Sequence, residues 1–355
     1  NQCTHAVKKM LFMPAEFTAG ADYNIDYLRD EISGYGRITN QNINIESFFL
    51  QNEWKNENLS VLIGGRFDKH SLIREPILSP RINLRYNIDK IISLRTSFST
   101  GFRAPQVYDE DLHGAAIGGE ISFIQNVPGL KPENSQSISA SADFNKNIGK
   151  IQTEILVEGF YTNLNHIFAF NEAGVNTDGS LILERYNAPG AIVRGINLEG
   201  KIVVSDNLQF QLGMTLQKSN YKEAQRWSDD ITIAPQKKMF RSPDNYGYIT
   251  ADYEVIKNMN VSFSGTYTGS MLVQHFAGYI AKDTETMTPS FCDINIKFSY
   301  NLKLNSSVRL QLNAGIQNII NSYQGDFDKG IFRDSKYIYG PSLPRSLMFG
   351  MKIMI

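Results

Sequence analysis

The sequence predicts an all-β chain, an antiparallel transmembrane β-barrel with about fourteen strands, and three observations carry that expectation. Polar and apolar residues alternate through segment after segment. Formal charge falls almost entirely on one of the two alternating rows. Short polar turns and long polar connections succeed one another along the chain.

The alternation is cleanest where Leu208, Phe210, Leu212, Met214 and Leu216 oppose Gln209, Gln211, Thr215 and Gln217. Successive strand side chains point to opposite faces, so such a segment offers one apolar and one wet face. Two segments flanking a long irregular insertion behave alike. Ile92, Leu94, Thr96 and Phe98 face away from Ser93, Arg95, Ser97 and Ser99; Ile138, Ala140, Ala142 and Phe144 face away from Ser137, Ser139, Ser141 and Asp143. We expect them to form one hairpin with a functional loop at its top.

In chain order, extended segments are expected at 17–24, 43–54, 59–68, 81–86, 91–99, 137–144, 150–162, 196–204, 208–217, 246–253, 259–268, 291–300, 308–320 and 346–355. Turns fall near Asn56, Asn87, Asn145, Ser205, Lys257 and Asn305. A strict short-long rhythm puts the turns on one rim and the loops on the other, as in outer-membrane barrels. An even strand count places both termini on the turn side.

Arg95, Glu154, Glu158, Lys201, Lys297 and Lys352 all belong to the polar row. A row facing lipid excludes such groups, because a Lys or Arg at mid-bilayer costs ~2–4 kcal/mol. A soluble sheet has no reason to sort charge so evenly. Tyr86, Tyr253 and Tyr300, near turn-side strand ends, suit an interfacial aromatic belt.

Bulk properties exclude other classes. Lys plus Arg (35) balances Asp plus Glu (36), which removes the electrostatic basis for a nucleic-acid surface. Two cysteines, Cys3 and Cys292, can build neither a disulfide scaffold nor a thiolate zinc site. No uninterrupted apolar run reaches the length of a membrane helix. The start at Asn1, without Met or a secretory pattern, makes the chain look processed or cut from a longer one. No nucleophile, base and orienter can be assembled from the spacing, so the chain is not expected to be an enzyme.

Gly101-Phe102-Arg103-Ala104-Pro105 with Glu110 after it, then Leu130-Lys131-Pro132-Glu133-Asn134-Ser135, resembles the barrel region of TonB-dependent outer-membrane receptors. Asn187 through Gly195 to Glu199, Gln317-Asn318-Ile319-Ile320-Asn321-Ser322-Tyr323 and Pro344-Arg345-Ser346 follow in the family's order. The resemblance implies a 22-stranded barrel filled by an N-terminal plug, in which residues 1–355 are the C-terminal part of the barrel. Plug, TonB box and about eight strands are absent from this sequence, and such barrels usually end in an aromatic where this one has Ile355.

The implied function is import of a ferric siderophore, cobalamin or haem with energy delivered through TonB, with no resident cofactor. Implied partners are outer-membrane lipid, the TonB complex through the plug, the nutrient chelate and a surface lipoprotein. A passive diffusion channel fits the strands equally well but the motifs poorly. An adhesin or structural barrel is a third reading.

Arg81, Arg85, Arg95, Glu154, Glu158 and Lys201 are then expected to face the plug or lumen. Candidates for ligand contact are Arg103, His113, Tyr221, Trp227, Met271, His275 and Tyr279. His113 enters because haem receptors of this family carry a haem-ligating His between the Phe-Arg-Ala-Pro motif and an Asn-Pro-x-Leu motif, which here reads Val127-Pro128-Gly129-Leu130. Tyr221 and Trp227 offer stacking surfaces. For Arg103 and Glu133, bracing the loop at the rim through charge-assisted hydrogen bonds outweighs direct ligand contact.

Overall fold

A computed structural model describes residues 1–33, 37–106, 122–177, 181–305 and 308–354. Among them run nineteen strands: β1 (Gln2–Met10), β2 (Met13–Ile32), β3 (Arg37–Lys55), β4 (Leu59–His70), β5 (Ile77–Asn87), β6 (Ile92–Arg103), β7 (Ser122–Asn126), β8 (Glu133–Ile148), β9 (Ile151–Val175), β10 (Leu181–Ser205), β11 (Leu208–Gln225), β12 (Gln236–Lys238), β13 (Asn245–Ile256), β14 (Met259–Thr268), β15 (Leu272–His275), β16 (Thr284–Met287), β17 (Phe291–Lys303), β18 (Arg309–Gln317) and β19 (Ser346–Met354). β7, β12, β15 and β16 are short. The other fifteen pair antiparallel, each with the next long strand, from β1 to β19.

The expected hairpin is β6 with β8, in the register Phe98 opposite Ile138 and Arg95 opposite Ser141. The fifteenth strand is β1, whose mixed Val7–Met13 region hides its period. It hydrogen-bonds along the lower half of β2, and the Asn1 ammonium donates to the Ala21 carbonyl at 2.9 Å. The expectation that both termini lie at the turn rim is therefore corrected: β19 ends beside the β17–β18 turn, whereas β1 begins halfway up β2.

Several expected loops are strand extensions. β9 and β10 are 25 residues each, and their pairing reaches Leu181 opposite Val175, far beyond the ~9–11 residues that cross a bilayer. β2 and β3 likewise pair out to Ile32 and Arg37. Backbone pairing above the bilayer satisfies the N–H and C=O groups that an irregular loop would leave to water.

Register fixes the two faces, because paired residues share one. Arg85 lies opposite Arg95, Arg95 opposite Ser141, Ser141 opposite Glu158 and Glu154 opposite Lys201. With Arg81, four residues up β5, these six charged residues occupy a single face, together with Lys297 and Lys352. The other face carries Ile82, Ile138, Val157, Leu198, Leu212, Phe298 and Phe349, all exposed as large apolar side chains. Tyr86, Tyr253 and Tyr300 share that apolar face at the turn-side strand ends.

A single curved layer buries little. Among the described residues the buried apolar cluster is Met271, Val273 and Tyr337, with Tyr339 packed on it, and it lies in the loops rather than the wall.

Candidate functional site

The wall's charged face is tied into local networks. Arg66 donates to Asp68 through Nε (2.8 Å), to Ser47 through Nη2 (2.7 Å) and to Asp22 through Nη1 (3.3 Å), while the Ser47 hydroxyl donates to Asp68 at 2.6 Å. Beside them Phe49 lies over Gly20, where a Cβ would meet the ring at 2.3 Å. Farther round, Arg95 pairs with Asp143 (3.4 Å), and Asn197 donates to Glu158 (3.0 Å) while accepting from Thr215 (2.9 Å). Such a face presents charged and polar groups opposite the apolar one, the division a lipid-embedded sheet requires.

At the loop rim the sequence motifs converge. Arg103 ends β6 and Glu133 opens β8, directly opposite it, and their pairing is bidentate at 2.6 and 3.2 Å. Glu133 also accepts the Phe168 N–H at 2.6 Å, and Arg103 sits over the Phe168 ring at 5.0 Å. Asn187 accepts from the Lys131 N–H (2.8 Å) and donates to the Lys131 and His166 carbonyls. Arg185, fully buried, packs between Phe168 and Phe170 and donates to the Gln106 carbonyl. The motif near the end of the chain does similar work: Asn318 donates to the Ser322 and Leu343 carbonyls, and Asn321 accepts from the Arg345 N–H. These motifs pin loops to strand ends.

Above the β11–β19 arc lies a second assembly, a platform built on the β15–β16 hairpin. His275 donates through Nε2 to both Asp328 oxygens (3.0 and 2.9 Å), and its ring stacks on Tyr337 at 3.6 Å. Tyr339 and Tyr337 donate to Asp326 at 2.6 and 3.2 Å. Burial and the Asp326 carboxylate both push these phenols above the usual tyrosine range, so they stay protonated donors. Buried Gln324 bonds the Tyr337 carbonyl and the Tyr339 and Gly340 N–H groups. Trp227 donates to Glu285 at 2.9 Å, with Phe240 and Phe276 edge-on at 5.6 Å each.

The sequence candidates thus divide. Met271 is buried in the platform's core; His275 and Trp227 are its struts; Tyr221 is half-buried, its phenol pushed up by desolvation. Tyr279 is 53% exposed, on a tight turn where Gly278, at φ +143°, backs against the Phe332 carbonyl. Arg103 braces the rim. His113 lies outside the described residues. Sequence reading missed the partners Asp326, Asp328, Gln324 and Arg185: Asp328 lies 53 residues from His275 and Arg185 lies 79 from Gln106, while Asp326 and Gln324 sit 11–16 residues from the groups they hold, in a loop with no periodic pattern. No group of three or more metal-ligating side chains occurs among the described residues.

A family model described as TonB dependent receptor-like, beta-barrel, matches residues 9–319. The chain belongs to that family. It is a component of the bacterial outer membrane, which accounts for the exposed apolar face. The siderophore receptor PirA from Acinetobacter baumannii superposes with a TM-score of 0.68 at 16% identity, over 99% of this chain and 54% of that one. A ferric enterobactin receptor variant (PfeA) from Pseudomonas aeruginosa in complex with enterobactin gives 0.68 at 15% identity, over 99% and 53%. An iron-regulated outer membrane virulence protein of Vibrio cholerae is 34% identical over 88 residues, 24% of this chain and 13% of that protein. The chain spans about half the length of the solved receptors it resembles.

Proposed function

We propose that the protein is a receptor that captures a ferric siderophore on its loops and imports it by a TonB-driven rearrangement of a plug seated against the charged face. The observation that carries this reading is the loop platform: aromatic rings and carboxylates lock its interior, leaving a stiff outer surface. Tyr279 and Phe332 are exposed on it, and the loop segments that build it also expose the cations Arg226, Lys237 and Lys329, none of which has an ion-pair partner among the described residues. Ferric siderophores are bulky, aromatic or amide-rich and commonly anionic. Stacking surfaces with nearby cations on a rigid base match that chemistry, because a preorganised surface loses little entropy on binding. The named functions of PirA and PfeA point the same way.

The test is uptake of iron-labelled catecholate and hydroxamate chelates, haem and cobalamin in a strain lacking the full-length gene, with and without plasmid-borne copies. Restored uptake of one ferric chelate that is abolished by removing TonB is expected. Restored uptake that persists without TonB makes the protein a passive pore, and restored uptake of haem or cobalamin alone replaces the substrate.

A further inference from the structure

We propose that the lipid-facing wall carries a specific site for a phosphate-bearing lipid of the outer leaflet, with its phosphate held by Arg194 and Lys218 and an acyl chain lying in a groove over Gly159. The position comes first. On the apolar face, one row across the sheet reads Phe98, Ile138, Tyr161, Arg194, Lys218, each paired with the next. The next row toward the loops reads Thr100, Gln136, Asn163, Ile192, Asn220, and the next toward the turns reads Thr96, Ala140, Gly159, Ile196, Leu216. The face therefore changes from apolar to polar across the basic pair. Tyr161 and Lys218 lie about eleven residues from the turns at Lys150 and Asn207. At ~3.3 Å per residue and a tilt near 40° this is roughly 28 Å, close to the ~25 Å apolar band of such barrels. The pair sits where outer-leaflet headgroups begin.

Charge comes second. Arg194 and Lys218 lie directly opposite one another on β10 and β11, and like charges so placed repel. Neither has a hydrogen-bond or ion-pair partner among the described residues. Asp244, which borders the same groove, is paired with Lys238 at 2.9 Å. An anion between the two cations turns repulsion into two charge-assisted contacts, and a lipid phosphate is the anion available at that depth.

Shape comes third. An open groove of about 810 Å³ begins under the pair and runs along Ala140, Gly159, Ile196 and Leu216. A Cβ on Gly159 would meet nothing within 4 Å, so the small residues leave room that Ile138 and Tyr161 border above. An acyl chain fills an apolar groove of this kind, while Tyr161 stands at the headgroup level that suits its amphipathic ring.

The full-length protein purified in detergent tests this by native mass spectrometry, titrated with bis-phosphorylated lipid A, with dephosphorylated lipid A and with inorganic phosphate. Wild type should retain lipid A and hold the dephosphorylated form roughly tenfold less well. R194Q/K218Q should lose a similar factor, G159L should weaken retention with both charges intact, and K146Q/K150Q at the turn rim should match wild type. Each variant is first confirmed folded by its heat-modifiable gel mobility. Equal retention by wild type and both R194Q/K218Q and G159L, or of both lipid forms, overturns the site. Displacement of lipid A by millimolar inorganic phosphate overturns the lipid assignment.

Discussion

The wall and the loop platform are held together by different physics. In the wall, lipid imposes a rule on every second residue, and backbone pairing does the rest; Leu212 and Gln211 are neighbours in sequence yet face hydrocarbon and water. In the platform there is no such rule. Its order comes from particular side chains reaching particular backbone atoms, as Gln324 does with Tyr337, Tyr339 and Gly340. The difference teaches that substitutions in the wall should be judged by face, and those in the platform by partner.

Leu212→Arg should show the largest effect, destabilising the folded protein by ~2–4 kcal/mol, while Gln209→Arg on the other face, paired across the sheet with Val203 and Asp252, stays within ~0.5 kcal/mol. Denaturant unfolding in lipid vesicles measures both, and equal costs would erase the distinction between faces.

Asp326→Ala comes next. It strips the acceptor from Tyr337 and Tyr339 and should loosen the platform by ~1–3 kcal/mol. Hydrogen exchange around 324–340 should accelerate while the wall's unfolding midpoint holds, and a shifted midpoint would tie the two regions into one cooperative unit.

Arg103→Ala should cost about 1 kcal/mol, since the guanidinium is more than half exposed and solvent screens the pair, though Glu133 keeps its Phe168 N–H. A double-mutant cycle with Glu133→Gln isolates the coupling. If siderophore affinity falls while rim stability does not, Arg103 touches ligand rather than bracing the loop.

Smallest is the turn at Asp89. Its carboxylate accepts the Ile91 and Ile92 N–H groups at 2.7 and 2.8 Å, and these bonds hold its pKa below the ordinary carboxylate value. A depressed pKa means the stabilisation is present above the unfolded value of 3.8 and is lost as pH falls through the folded one. Local exchange at Ile91 and Ile92 should rise below about pH 4 in wild type and not in Asp89→Asn, whose amide oxygen still accepts without titrating.

How much was legible in the sequence follows from the same contrast. The face assignments of Arg95, Glu158 and Lys201 could be read because a strand in lipid leaves a period of two. β1 escaped because Lys8 and Lys9 interrupt that period. The extensions of β9 and β10 escaped because nothing above the membrane enforces it: Phe168 and Phe170 point toward Arg185, so the charge lies among apolar neighbours. The Phe-Arg-Ala-Pro and Leu-Lys-Pro-Glu motifs were visible as words, and the Arg103–Glu133 pair gives them their meaning as a clamp. The His275–Asp328 contact spans 53 residues with no periodic signal to announce it.

The most direct test of the two-faced wall is spin-label accessibility through β10. With Cys3 and Cys292 replaced by Ser, single cysteines at Ile196, Asn197, Leu198, Glu199, Lys201 and Ile202 are labelled and exposed in turn to oxygen and to a water-soluble nickel chelate. Ile196, Leu198 and Ile202 should favour oxygen, and Asn197, Glu199 and Lys201 the nickel chelate. A profile without a period of two, or Lys201 grouped with Leu198, contradicts a wall that separates lipid from water.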